Sequence, residues 1–451
     1  MKPASLYFLA LILLCGVGFG LAQQPTVRPL SLREALRLAK SNNYQILVAR
    51  SQLREAGGQN LESWKGFLPR LTFGGGYIQS DDPVTVFGTK LKQGVFTQND
   101  FDLRELNKPD AIENWSTSIQ VQQPLINVDA IFGKSAAGLA KKASRYRLAR
   151  AVETVYLEVE RTYYGLILSH SNLRTIDDAV ESAETRHREV EAAYKKGLVS
   201  EADLLASQVR LAEMQEQQLT GRLQIANASD HLKFLLGIED VAEIIPTDSL
   251  SITEEELRVR ELPPDTIPTN RSDLVALELR EKAAHRGALM RRSEWIPRLN
   301  AFGGAEWNSD RAFDTGNSNW TVGVQLEWRI LDGFGTMGRV QQANAISAAA
   351  RAEFKEAQAR SNMEVRRACR ALLTAKERMR VAEKAVAQSS ESLRIVEARF
   401  QEGLEKVSDL LDREAAHTSA QLRLQKAKHD VKVAYSELQF YLGAESEPID
   451  Q

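Results

Sequence analysis

Cysteine is nearly missing from this 451-residue chain: there are two, Cys15 and Cys369. Cys15 lies in a leader-like segment, so one cysteine remains and no intrachain disulfide can form. Cys369 reads as a small apolar residue in a helix. A large excess of charge is missing too. The formal net charge of −2 offers no basic field to nucleic acid. After residue 22 no segment reaches the roughly 18 consecutive apolar residues of a membrane-spanning helix. The histidines, His170, His187, His231, His285, His417 and His429, show no short metal-ligand spacing and have no cysteine beside them. Neither Gly-x-Ser-x-Gly nor a P-loop occurs. No cofactor, metal or nucleic-acid site is expected, and the chain does not read as an enzyme.

What is present begins with Lys2, an apolar run from Leu6 to Leu21, and small residues Gly20 and Ala22 before Gln23. This predicts a secretory signal peptide over 1–22, cleaved near Ala22. A membrane anchor is the alternative, but the run is short for one. Lipid attachment at Cys15 would want a small residue where Leu14 stands. The exported remainder is either periplasmic or crosses an outer membrane by a route that hydropathy misses.

The rest is written twice. "FLPRLTFGGGY" (67–77) returns as "WIPRLNAFGGAEW" (295–307), and "YKKGLVSEADLL" (194–205) as "FQEGLEKVSDLL" (400–411). "FLLG" (234–237) returns as "FYLG" (440–443). A first repeat is expected over 23–237, an acidic, proline-bearing connector with one short helix over 238–269, a second repeat over 270–443, and a tail over 444–451. The first repeat has an extra stretch between Tyr77 and Trp115, read as an enlarged loop between two strands.

In Trp320–Ile330, Trp320, Val322, Val324, Leu326, Trp328 and Ile330 alternate with polar residues or glycine. Period two predicts a strand with one greasy and one wet face. Trp115, Thr117, Ile119 and Val121 repeat the pattern. Strand hairpins are expected over 68–127 and 296–331, each strand long enough for a tilted bilayer crossing. Tyr77, Trp115, Trp307, Trp320 and Trp328 suit interfacial girdles. A half-buried sheet in a soluble domain is the alternative. From Gly133 to Lys196 there is no proline, which predicts a helix about 95 Å long. Sevenfold spacing runs along it through Val159, Leu166, Leu173, Val180, His187 and Tyr194. It recurs in Val365, Leu372, Met379, Val386, Leu393 and Phe400, and the return helices carry their own. Long helices with coiled-coil-like seams are expected over 133–196, 201–236, 338–402 and 407–442.

"ILDGFGTMGRV" (330–340) contains G-x-G-x-x-G at Gly333, Gly335 and Gly338, with Glu353 further on. A dinucleotide fingerprint needs a buried strand before it and a short helix after it. Here the strand carries Gln325, Glu327 and Arg329, the helix runs for about 60 residues, and the first-repeat counterpart "LINVDAIFGKS" keeps only Gly133. The glycines read as a sharp strand-to-helix turn.

Leader, duplicated hairpin-plus-long-helix halves and the two "G-L-x-x-x-x-D-L-L" turns resemble the TolC-like outer-membrane efflux protein family over about 30–443. The resemblance implies a mixed α and β membrane protein and a homotrimer. Each chain would give four strands to one twelve-stranded outer-membrane β-barrel, continuous with a long coiled-coil-like α-helical barrel. Closing the barrel removes edges that lipid cannot tolerate, and Gln120, Gln122, Gln325 and Glu327 would face the lumen. The implied function is a passive exit duct across the periplasm and outer membrane, served by a periplasmic adaptor protein and, through it, an inner-membrane pump. A periplasmic coiled-coil scaffold without channel activity is the alternative.

The resemblance also implies roles for the turns. Gly197, Leu198, Val199, Ser200, Gly403 and Leu404 match the tip that meets the adaptor. Plain turn chemistry, with Gly ending one helix and Ser200 and Ser408 capping the next, is the other reading. Asp409 and Asp412 match carboxylates that ring the entrance, and Asp203 a position that helps hold it shut; first-turn carboxylates also suit any helix. A tyrosine and an arginine that often join those bonds are Phe400 and Glu405 here. The closed state is therefore expected to be held differently, through Lys406 or Lys196.

Overall fold

The structure, a computed structural model, describes residues 28–239, 243–258 and 270–443. The expected leader, parts of the connector and the 444–451 tail lie outside the described residues. In chain order the elements are β1 (Arg28–Leu30), α1 (Leu32–Asn42), α2 (Tyr44–Glu62), β2 (Arg70–Ser80), α3 (Pro83–Gln93), α4 (Leu103–Asn107), β3 (Ile112–Ile126), α5 (Val128–Lys195), α6 (Glu201–Leu236), β4 (Ile244–Pro246), α7 (Glu254–Arg258), α8 (Ser272–Arg292), β5 (Arg298–Ser309), β6 (Asn317–Glu327), α9 (Gly335–Gln401) and α10 (Val407–Leu442). The chain divides into two compact units. Among the described residues, one comprises 28–44, 155–239, 243–258 and 371–436; the other comprises 45–154, 270–370 and 437–443.

The second unit holds an antiparallel sheet of order β2-β3-β5-β6. Register puts Leu71, Val121, Gly303 and Val322 in one row and Phe73, Ile119, Ala305 and Trp320 in the next. Directly paired residues share a face, so these rows make a continuous apolar surface. The rows between them, Thr72, Gln120, Gly304, Thr321 and Gly74, Ser118, Glu306, Asn319, make the opposite face polar. Gln122, Gln325 and Glu327 share that polar face. In β3 the register shifts between Pro124 and Ile126, where proline lacks the N–H a ladder needs.

Three expectations need correction. The second hairpin ends at Glu327, not 331. Its partner Arg298 is the first residue of β5, so Trp328 and Ile330 have no strand opposite them. The first hairpin's enlarged loop contains two helices, α3 and α4. Asp82 caps α3 by accepting from the Thr85 amide, Pro83 stands at its first turn, and left-handed Gly94 closes it, a start-and-stop signature readable in the sequence. The long helices also start early, at Val128 and Gly335 rather than 133 and 338, because Asp129 and Asp332 serve their first turns.

In the first unit the seams follow the sevenfold spacing over most of their length, though Tyr194 at the far end of the α5 seam is 39% exposed. Val159, Leu166, Leu372, Leu232, Leu410 and Val431 are buried, each stabilising by about 1.5–3 kcal/mol. The short parallel pair β1-β4 is fastened to α5 by buried Tyr163. Its hydroxyl lies 2.7 Å from the Leu30 carbonyl and 2.6 Å from the Asp248 carboxylate. Among the described residues of the connector, the short helix α7 is held to α10 by a buried Lys432–Glu256 ion pair of 2.8 Å.

Candidate functional site

The turns α5-α6 and α9-α10 have the same backbone. Gly197 (φ 71°) and Gly403 (φ 74°) are left-handed, a conformation that costs residues with a Cβ. Gly197 N–H donates to Tyr194 and Leu198 N–H to Ala193, while Gly403 N–H donates to Phe400 and Leu404 N–H to Arg399. This pair of bonds satisfies the last carbonyls of each helix. Between the turns Val190, Val407 and Leu411 are buried, with Val199, Leu204 and Phe400 packed on them. Leu198 and Leu404, by contrast, are 73% and 63% exposed. Neither turn needs those side chains outside.

Two expectations change here. Val199 is not exposed beside Leu198; it joins the apolar knot. Ser408 does not cap α10, which begins at Val407 because Val407 is drawn into that knot; the Leu410 amide donates to the Lys406 carbonyl. Ser200 does cap α6, reciprocally with Asp203: the Asp203 amide donates to Ser200 Oγ at 3.2 Å, and the Ser200 amide to Asp203 Oδ2 at 3.1 Å. The Asp203 carboxylate is thus committed to its own helix. Asp409 and Asp412 are exposed on α10, with no ion-pair partner among the described residues.

Near the turns, Arg186 on α5 ties the two repeats together. Its side chain, 12% exposed, reaches Glu414 on α10 at 3.1 Å and Glu397 on α9 at 3.0 Å. It also pairs with Glu189 at 2.7 Å, and Phe400 lies 5.8 Å beneath it. Glu405, expected to reverse a charge at the tip, pairs with Arg399 at 3.1 Å. Sequence reading missed Arg186, Glu397 and Glu414. The only hint was a charge next to seam residue His187.

The sheet carries a second set of candidate residues. All six tryptophans flank it. Trp115, its ring tilted against Tyr77 with centroids 4.7 Å apart, Trp307 and Trp320 stand toward the end away from the helix starts. Trp64, Trp295 and Trp328 stand at the helix end, where the Trp328 indole donates to the Trp295 carbonyl at 3.1 Å. From the Tyr77–Trp115 pair to Trp320 the aromatics step by four residues of register. That is roughly 13 Å along the strands over roughly 14 Å of sheet width. The slope matches a level girdle drawn across strands tilted about 35–45°. Trp64 and Trp295 escaped the sequence reading because they precede the strands.

The glycine motif makes a turn rather than a phosphate cradle. Gly333 (φ 61°) and Phe334 (φ 70°) are left-handed. The Asp332 carboxylate accepts from the Thr336 amide at 2.8 Å and its hydroxyl at 2.7 Å, and pairs with Arg339 at 3.1 Å. Those bonds hold its pKa below the ordinary carboxylate value. A carboxylate already fills the helix N-terminus that a dinucleotide would need. Glu353 pairs with Arg280 at 2.7 Å. Among the described residues no group of His, Cys, Asp and Glu is placed to hold a metal ion.

Comparison with known proteins agrees with this geometry. A family model described as "Outer membrane efflux protein" matches residues 35–238 and 264–444. The alkaline protease secretion protein AprF of Pseudomonas aeruginosa is 24% identical, over 92% of this chain and 84% of that protein. Outer membrane protein TolC of Vibrio cholerae is 20% identical, over 92% and 91%. Among solved structures, the Campylobacter jejuni CmeC outer membrane channel superposes with a TM-score of 0.78 at 17% identity, covering 93% of this chain and 87% of that one.

Proposed function

This chain belongs to the outer membrane efflux protein family and is an outer-membrane exit duct of an efflux or secretion system; from that premise we propose how its surfaces divide the work. It resides in the outer membrane of Gram-negative cells with a large periplasmic helical part, and members of the family work with adaptor and pump partners. The chain is a passive conduit and not an enzyme. Three copies close one barrel. A single sheet leaves the edges of β2 and β6 unpaired, and open edges are not tolerated in hydrocarbon; three four-stranded sheets leave none. The observation carrying this reading is the sheet's two faces: apolar rows on one, polar rows on the other, tryptophans at both ends. The apolar face meets lipid and the polar face lines the lumen. Leu198 and Leu404 in the glycine turns are the adaptor contacts. The protein purified in detergent is expected to run as a trimer and to conduct ions in a planar bilayer. A monomer soluble in plain buffer, with no conductance, would sink the reading.

Asp409 and Asp412, exposed and unpaired, supply two three-carboxylate rings at the entrance, which favour cations. Asp409→Ala with Asp412→Ala is expected to weaken cation preference in bilayer recordings and to relieve block by multivalent cations. Unchanged selectivity and block would refute the ring.

A further inference from the structure

The stretch between β2 and β3 is built, not merely long. Phe96 packs edge-on against Phe87 at 5.0 Å and Phe101 at 5.3 Å. Val86 and Thr89 are buried, and Lys90 pairs with Asp100 at 2.7 Å. That Lys90 bond, with the Thr97 amide and hydroxyl, takes the Asp100 pKa down to about 2. A depressed carboxylate contributes stability above its ordinary value and loses it only as pH falls through the lowered one. The internal clasp therefore holds across physiological pH.

This small body sits on one face of the sheet. Lys92 Nζ lies 3.3 Å from Glu306 Oε1, and the Lys92 carbonyl accepts from Asn317 at 3.1 Å and Asn319 at 3.5 Å. Gln93 donates to the Glu113 carbonyl at 2.8 Å and to Asn114 at 3.0 Å, and Asn114 donates to Asn308 at 2.8 Å. Glu306, Asn308, Asn317 and Asn319 alternate with Trp307 and Trp320, so every contact falls on the polar face. A hollow of about 580 Å³ on that face is lined in part by Glu306 and Asn319. The second hairpin turns over residues 310–316 and has no such body. The body also lies at the end of the sheet away from α5 and α9, hence on the outward side.

We propose that residues 81–111 form a lid over the outward mouth of the duct, seated on the lumen face, which narrows the exit and selects solutes by size. The proposal rests on the exit-duct reading. Within the lid Val86 is buried and the Phe87, Phe96 and Phe101 rings meet edge-on, while Val84, Leu91, Val95 and Leu103 stay exposed. The lid meets the sheet through an exposed ion pair and side-chain amides, so it can lift as one piece without uncovering the sheet's own packing.

Two variants of the full chain test it by bilayer conductance and by the largest polyethylene glycol that still enters the pore. In one, residues 82–110 are replaced by the sequence of the 310–316 link. In the other, Lys92→Glu sets a carboxylate against Glu306. Each is expected to raise single-channel conductance about twofold or more and to admit larger polymers. Adding Glu306→Lys to Lys92→Glu is expected to restore the wild-type values. If the shortened chain fails to assemble, the charge-reversal pair decides. Wild-type conductance and polymer cut-off in the assembled variants would overturn the lid. A wild-type protein that conducts nothing would overturn the duct reading and take the lid with it.

Discussion

Arg186→Ala is expected to lower the thermal midpoint of the assembled protein by several degrees and to raise its single-channel conductance. Arg186 reaches both Glu397 of α9 and Glu414 of α10, at 3.0 and 3.1 Å, with both arginine and Glu414 mostly shielded from water. Removing one partner of a shielded pair costs about 3 kcal/mol, because a charge is left without its counter-ion. Here it leaves three carboxylates, Glu189 of α5 with Glu397 and Glu414, to repel one another, which pushes α9 and α10 away from α5 beside the glycine turns. The effect carries a pH signature. Burial dominates at Glu414 and holds its pKa above the ordinary value even with Arg186 beside it. Without Arg186 it must rise further. A raised pKa favours the folded state while the group is protonated; that benefit is full below the unfolded value of about 4.3 and lost as pH rises through the folded one. The stability deficit of Arg186→Ala is thus expected to be small near pH 4 and full by pH 8. Equal midpoint losses at both pH values, or an unchanged conductance, would show that Arg186 does not clamp the turns.

Why Arg186 escaped the sequence, while the strands and long helices did not, is a matter of range. Trp320, Val322, Val324 and Leu326 announce a strand because their neighbours are polar. Val159 and Leu166 announce a seam because seven residues separate them. Such signals are local and repeat, so a single chain displays them many times. Arg186 meets Glu397 and Glu414, 211 and 228 positions away, and a one-time pairing between distant charges leaves no period. The lid was hidden differently. Its Asp82-Pro83 start and Gly94 stop are local signals, but they sit in a stretch with no seam and no alternation, where a loop was the simpler reading. Gly333, Gly335 and Gly338 show the value of context: the pattern alone suggests a ligand site, but the polar strand before it and the long helix after it mark a turn, which Asp332 closes. Asp203 lies between these cases, since one residue answers both to a capping rule and to a family position.

Two neighbouring residues in β3 should behave oppositely when charged. Val121 pairs with Leu71 and Gly303, and Gly303 with Val322, so it sits near the middle of the apolar face. Gln120 pairs with Thr72 and Gly304 on the polar face. An arginine facing lipid at mid-depth costs about 2–4 kcal/mol. Three copies in one trimer would bring that to roughly 6–12 kcal/mol, comparable with a whole domain's net stability. Val121→Arg is therefore expected to remove most folded trimer from the outer-membrane fraction. Gln120→Arg, one residue earlier, should leave the trimer yield near wild type and shift ion selectivity toward anions, because its guanidinium would stand in the lumen. Both variants add the same side chain to the same strand, so expression and general strand propensity cancel in the comparison. If Val121→Arg assembles as well as Gln120→Arg, the apolar face does not meet lipid. If both fail alike, the polar face does not line water, and the assignment of inside and outside to this sheet is wrong.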